Sequence, residues 1–247
     1  MYSISYNGLD DYKYNLRPAT KVFPPTTERN YTAYKIPGRD GELLSFDGTV
    51  KDTSLTVEMS VAAPMAYAYR SYGLQRCLQY ARQWVYSDGN RRLILSDDPN
   101  YFYHVKNASI ANLTRKTRDT ATLNVVFTID GYAYTVDHWD TWRTISDGYS
   151  YDRGLGAELS HPLYRILGSG VTEISVGNGA PVSINLPDTH AVIIDTDLMI
   201  AYREDTGATM STCVTGDYSD LWIPQVAVFH IDGNSEVKLK ARSRRRL

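Results

Sequence analysis

The side chains able to do chemistry fall into three sets: carboxylate pairs, histidines and cysteines. The pairs are Asp10-Asp11, Asp97-Asp98, Asp195 with Asp197, and Glu204-Asp205. Two carboxylates flanking a glycosidic bond can cleave it, so sugar hydrolysis is the reaction these residues suggest. All four pairs stand in turn-like stretches, however, where aspartate hydrogen-bonds its own backbone, and that role explains them more simply. Asp195 and Asp197 could also face calcium, but the rest of a calcium ligand loop is missing. The histidines are His104, His138, His161, His190 and His230. No two have the i, i+4 spacing of a helical metal site, and none accompanies a cysteine pair, so they read as surface or core residues. Cys77 and Cys213 are too few and too far apart for a disulfide framework or a zinc site. They read as buried or partly buried free thiols of a reducing compartment. There is no serine elbow and no phosphate-binding glycine loop. The residues therefore predict no catalytic group, no cofactor and no metal.

The 247 residues are 43% hydrophobic and 22% charged, an ordinary globular balance with room for one large or two small domains. The net charge of -2 argues against a general polyanion binder and so against specific nucleic-acid recognition. Basic residues cluster once, at Lys238, Lys240, Arg242, Arg244, Arg245 and Arg246. That cluster reads as a solvated C-terminal tail, or as an arm that docks on an acidic neighbour or faces passing DNA. No apolar run approaches the ~18–20 residues that span a bilayer, and the first residues lack a signal-peptide pattern. No membrane partner is predicted. The sequons at Asn30, Asn107 and Asn112 are then chance matches.

The elements that must position these residues are mostly strands. Leu55, Val57, Met59 and Val61 alternate with polar neighbours, as do Leu123, Val125, Phe127 and Ile129, which predicts two strands with one wet face each. Between them, Leu74, Cys77, Leu78, Ala81, Trp84 and Val85 form one helical stripe, predicting a helix over 69–86 that Asp88-Gly89-Asn90 stops. Residues 137–160 show no sustained period and read as a loop-rich connector containing a domain boundary. Beyond it, short strands are punctuated by turns at Asn178-Gly179, Asp195-Thr196-Asp197 and Asp232-Gly233-Asn234. The first of these has the dipeptide that tolerates positive φ. The pattern predicts a β-sandwich.

Several pieces, in order, resemble the distal tail protein (Dit) family of long-tailed, non-contractile bacteriophages. They are Ile36-Pro37-Gly38-Arg39-Asp40-Gly41-Glu42, a strand, the helix ending near Trp84, the run 93–103 with its Asp97-Asp98-Pro99 turn, the Asp195 hairpin, and Gly216-Asp217-Tyr218 before Leu221. Two details depart from the family. Trp222-Ile223-Pro224-Gln225 replaces a proline-glycine turn, and Arg244-Arg245-Arg246-Leu247 replaces a closing tryptophan-arginine pair. The resemblance implies a mainly β chain with a ring-forming N-terminal domain over 1–136 that contains one α-helix. It implies a C-terminal galectin-like β-sandwich over 137–247. It implies a structural subunit, not an enzyme, that forms a homo-hexameric ring joining the tail tube to the tip and baseplate hub. Its partners would be copies of itself, the tail tube, tape-measure and tail-tip or fibre proteins, and receptor-binding proteins. It would reside in the virion tail tip after assembly in the host cytoplasm, and DNA would pass through its lumen during ejection.

A ring built head to tail needs two different complementary patches on each subunit. Ile36, Pro37, Gly38, Arg39, Asp40 and Gly41 form the candidate subunit-interface loop, because Pro37 fixes φ while Gly38 and Gly41 allow unusual angles. The alternative is an ordinary hairpin turn with a surface ion pair worth under ~1 kcal/mol. A different class of function is a carbohydrate-binding or carbohydrate-cleaving adhesin. In it, Trp139, Trp142 and Trp222 would stack on sugars, and Asp195 or Asp217 would accept hydrogen bonds.

Overall fold

A computed structural model of the chain describes residues 2–64, 72–187 and 189–247. These residues form two compact units, one of residues 1–133 with Leu247 and one of residues 134–246. Both are built mainly of antiparallel strands.

In the first unit the two alternating runs become Thr53–Ala62 and part of Thr120–Thr135, paired from Thr53 opposite Ile129 to Ala62 opposite Thr120. The register puts Leu55, Val57, Met59 and Val61 on the same buried side as Leu123, Val125, Phe127 and Ile129. Leu16–Pro18 extends the sheet beyond Thr53–Ala62. On the other side follow Tyr101–Arg115, Arg92–Leu95, Ile4–Tyr6 and Leu9–Asp10. A separate two-stranded hairpin, Arg29–Lys35 with Glu42–Val50, completes the unit.

The helix is Gly73–Val85, so it starts later than the stripe suggested; residues 69–71 of the expected span lie outside the described residues. Its buried face is Leu74, Cys77, Ala81, Trp84 and Val85, while Gln75, Arg76, Gln79, Arg82 and Gln83 are exposed. Burial raises the Cys77 thiol pKa, leaving it an inert apolar group. Trp84 is the anchor. It is 0% exposed, meets Tyr6 and Phe127 edge-on at 5.9 and 6.1 Å, and donates from Nε1 to the Leu9 carbonyl at 2.8 Å. One side chain thus ties the helix to three separate strands.

The second unit is a β-sandwich of two five-stranded sheets. One runs Arg143–Ile145, Glu236–Lys240, Leu163–Leu167, Val192–Asp195, Ile200–Arg203; the other runs Ser150–Asp152, Val226–Asp232, Gly170–Val176, Val182–Leu186, Val214–Thr215. Ile166, Ile194, Val237 and Leu239 from one sheet share a core with Ile174, Ile184 and Phe229 from the other. Tyr164 is buried among them and donates its hydroxyl to the Leu221 carbonyl at 2.7 Å.

Three expectations need correction. Residues 137–160 are not a plain connector. They carry the helix Val136–Asp140 and the strands Arg143–Ile145 and Ser150–Asp152, one strand at an edge of each sheet. Three-residue strands are too short to show a period, which is why they read as loop. The hairpin at Asn178-Gly179 exists, but the positive φ falls on Gly177, at 60°. The basic C-terminus is neither a solvated tail nor a free arm. Lys240 lies over the Trp142 ring at 4.9 Å, and Arg242 pairs with Asp195 at 3.1 Å. Arg244 donates to the Leu159 carbonyl at 2.8 Å, and Arg244–Arg246 pairs with Ala157–Glu158.

Truncating Trp84 removes the shared contact and leaves the Leu9 carbonyl without its donor. Trp84→Ala is expected to cost about 3–5 kcal/mol, measured by urea denaturation. A loss below ~1 kcal/mol would mean the helix is held by something else.

Candidate self-assembly surface

The loop singled out from the sequence is the tip of the long hairpin. Ile36 accepts from the Arg39 N–H at 3.2 Å, and Gly38 takes φ 79°. Proline followed by a residue at positive φ is the signature of a type II turn, so Pro37 and Gly38 dictate the reversal. Arg39 and Asp40 stand exposed at the end, with no ion pair between them.

The arms carry what the sequence reading passed over. Tyr31 faces Phe46 and Ala33 faces Leu44 on one side of the ribbon; Thr32 faces Ser45 and Tyr34 faces Leu43 on the other. Tyr31, Tyr34, Leu43, Leu44 and Phe46 are 43–59% exposed. Large apolar groups therefore cover both faces, and both faces are exposed among the described residues. Strand alternation normally sorts apolar from polar sides, and a ribbon apolar on both escapes that test. The available signal was the density of apolar residues on either side of the Pro37-Gly38 turn.

The base of the ribbon is firmly held. Lys51 donates its backbone N–H to the Glu28 carbonyl at 2.9 Å and its ammonium to the Glu28 carboxylate at 2.9 Å. That ion pair holds the Glu28 carboxyl below its usual pKa. Asn30 donates to the Thr49 hydroxyl at 2.8 Å, and the Arg29 guanidinium lies 5.0 Å over the Phe46 ring. Gly131 makes room for Val50: a Cβ there would overlap Val50 Cγ2 and lie 3.1 Å from the Lys51 carbonyl. A two-stranded ribbon alone is at best marginally stable in water, so this one relies on its anchored base.

The other residues with chemical potential are engaged structurally. Asp11 is buried and accepts from the Tyr12 N–H at 2.8 Å, and its burial raises its pKa. Asp97 pairs with Lys21 at 3.0 Å, Glu204 with Arg165 at 2.8 Å, and Asp205 with Arg203 at 3.1 Å. Asp195 caps its own turn, accepting from the Asp197 and Leu198 N–H groups at 3.0 and 3.2 Å. Asp217 accepts from the Ser219 N–H at 2.9 Å. His104, His161, His190 and His230 each face one aspartate, at 3.8, 2.7, 3.8 and 3.6 Å. Among the described residues no three His, Cys, Asp or Glu side chains converge as metal ligands would.

The tryptophans offered as sugar platforms have their rings occupied. Trp222 stacks on His161 at 4.5 Å and donates to the Thr196 carbonyl at 3.2 Å. Trp139 meets Tyr134 edge-on and lies under Arg242, and Trp142 lies under Lys240.

Two outcomes follow from this geometry. Gly131→Ala is expected to destabilise the first unit by about 1–3 kcal/mol in chemical denaturation, because Val50 must move. An unchanged midpoint would show that the ribbon base is not anchored there. The His161 hydrogen bond holds Asp197 below the usual aspartate range. Its folded pKa lies below the unfolded one, so the contribution is present above the unfolded value and fades as pH falls through the folded one. Carboxyl NMR titration should place Asp197 low in the parent chain and higher in His161→Ala; equal values would refute the coupling.

No family model matches the chain, and no curated protein matches it in sequence. Its fold does match a solved structure. The crystal structure of the Dit protein (gp 19.1) of SPP1, described as a paradigm of the hub adsorption apparatus in phages infecting Gram-positive hosts, superposes with a TM-score of 0.68. The match covers 100% of this chain and 99% of that one at 13% sequence identity. From end to end, the chain has the fold of the SPP1 Dit hub protein.

Proposed function

We propose that this chain is a structural distal tail protein of a long-tailed, non-contractile bacteriophage. Six copies form a ring through the first unit, and the ring joins the tail tube to the tip and baseplate hub. DNA passes through the lumen during ejection. Tube, tape-measure, tip or fibre proteins are its neighbours, and receptor-binding proteins can attach to it. It works in the virion tail tip after assembly in the host cytoplasm, without catalysis.

The observation that carries this reading is the ribbon with two uncovered apolar faces. Contiguous exposed apolar surface of this kind marks an interaction site. A ribbon projecting from one subunit onto a different surface of the next makes a heterologous contact, the kind that closes into rings. The tip residues Ile36 to Gly41 are part of that contact, with Pro37 and Gly38 setting their shape. The fold shared with a phage hub protein supports reading that contact as part of a tail assembly.

The test is light scattering and negative-stain imaging of the purified full chain. The expected result is a ring with the mass of six copies. Tyr34→Asp with Leu44→Asp places one charge on each face of the ribbon and should give folded monomers. A parent chain that stays monomeric at high micromolar concentration would contradict the proposal, as would a ring unaffected by both charges.

A further inference from the structure

The strand Tyr101–Arg115 has one long edge open. Arg92–Leu95 borders it only near its start, with Arg92 opposite His104 and Leu93 opposite Tyr103. Beyond the bond from the Val105 N–H to the Arg91 carbonyl at 2.7 Å, no strand pairs with residues 106–115 on that side among the described residues. Proteins defend such edges with charged residues, proline or a covering element. Asn107 to Thr114 include no charged residue and no proline.

The same segment forms a wall of an apolar cleft of about 230 Å³. Ile110 and Leu113 line it with Leu123 from the neighbouring strand and with Leu78 and Ala81 from the helix Gly73–Val85. Arg82 and Tyr86 complete the lining. Arg82 is exposed and has no ion pair among the described residues.

The chain itself carries a segment of matching form. The two arms of the ribbon pair only with each other, so each has an outer edge without a strand partner. Glu42–Val50 is 9 residues long, enough to run along most of the open edge, and it brings the exposed Leu43, Leu44 and Phe46. Charge selects this arm over its neighbour. Glu42 is exposed and has no ion pair among the described residues, so it complements Arg82. The other arm would bring Lys35, the residue opposite Glu42, and set like charges together.

Ribbon and cleft also sit at opposite ends of one strand, Thr120–Thr135. Gly131 makes room for Val50 at the ribbon base, while Leu123 lines the cleft. Those two positions lie about 26 Å apart along an extended strand. A projection at one end and a receptor at the other make a contact that repeats head to tail from copy to copy.

Resting on the assembly described under the proposed function, we infer that the Glu42–Val50 edge of one copy adds as a strand to residues 106–115 of the next. Its apolar side chains seat in the cleft between the helix and Leu113. Main-chain hydrogen bonds give such a contact affinity, and the cleft gives it register.

Complementation between two variants of the full chain tests this. Leu113→Glu puts a charge into the cleft at a residue that is 42% exposed, and Tyr34→Asp with Leu44→Asp disables the ribbon. Each alone should associate about tenfold or more weakly than the parent. Mixed in equal amounts at high micromolar concentration, they should form a 1:1 dimer, because one intact ribbon meets one intact cleft and the contacts stop there. Near-UV circular dichroism checks folding, and Arg82→Glu on the exposed helix face is the second cleft variant if Leu113→Glu unfolds. Folded cleft variants that assemble like the parent, or a mixture that stays monomeric, would overturn the inference, leave ring formation standing and free the cleft for a different protein. A parent chain that never assembles would overturn both readings.

Discussion

A protein in water seldom leaves aromatic and aliphatic side chains exposed on both faces of a slender ribbon. Tyr31, Tyr34, Leu43, Leu44 and Phe46 do so here, and the rest of the first unit makes sense around that constraint. The ribbon cannot fold back to cover itself, because its two faces point in opposite directions. Its base is pinned by Lys51, Glu28 and the space at Gly131, and its reversal is fixed by Pro37 and Gly38. An anchored ribbon with exposed apolar faces suits a subunit and is a hazard to a monomer.

Each unit has internal ties of its own. Trp84 locks the only long helix among the described residues onto the sheet with a ring contact on two sides and a hydrogen bond to Leu9. In the sandwich, the basic closing segment is threaded through aromatic and acidic partners, Lys240 on Trp142 and Arg242 between Trp139 and Asp195. Carboxylates and histidines that might have been chemistry hold turns and strand ends.

Much of the architecture was legible wherever a strand or helix was long enough to show its period. Leu55 to Val61 and Leu123 to Ile129 announced their inward faces, and the stripe from Leu74 to Val85 announced the helix. Three-residue strands such as Arg143–Ile145 and Ser150–Asp152 carry no readable alternation, so they passed as loop. The arginines from 242 to 246 looked like a tail because their partners, Asp195, Leu159 and Glu158, are distant in sequence. The turn at Ile36 to Gly41 was visible because proline and glycine state their geometry locally. The arms beside it were not, since pattern alone cannot separate a buried apolar ribbon from an exposed one.

The central claim is that the ribbon becomes buried when copies associate. Hydrogen–deuterium exchange of the peptides spanning residues 29–50, followed from dilute to concentrated protein, tests it most directly. Protection of these amides and of one separate patch on the first unit should rise together with the mass of the assembly. An assembly that forms while these peptides exchange as freely as in the monomer would contradict the account.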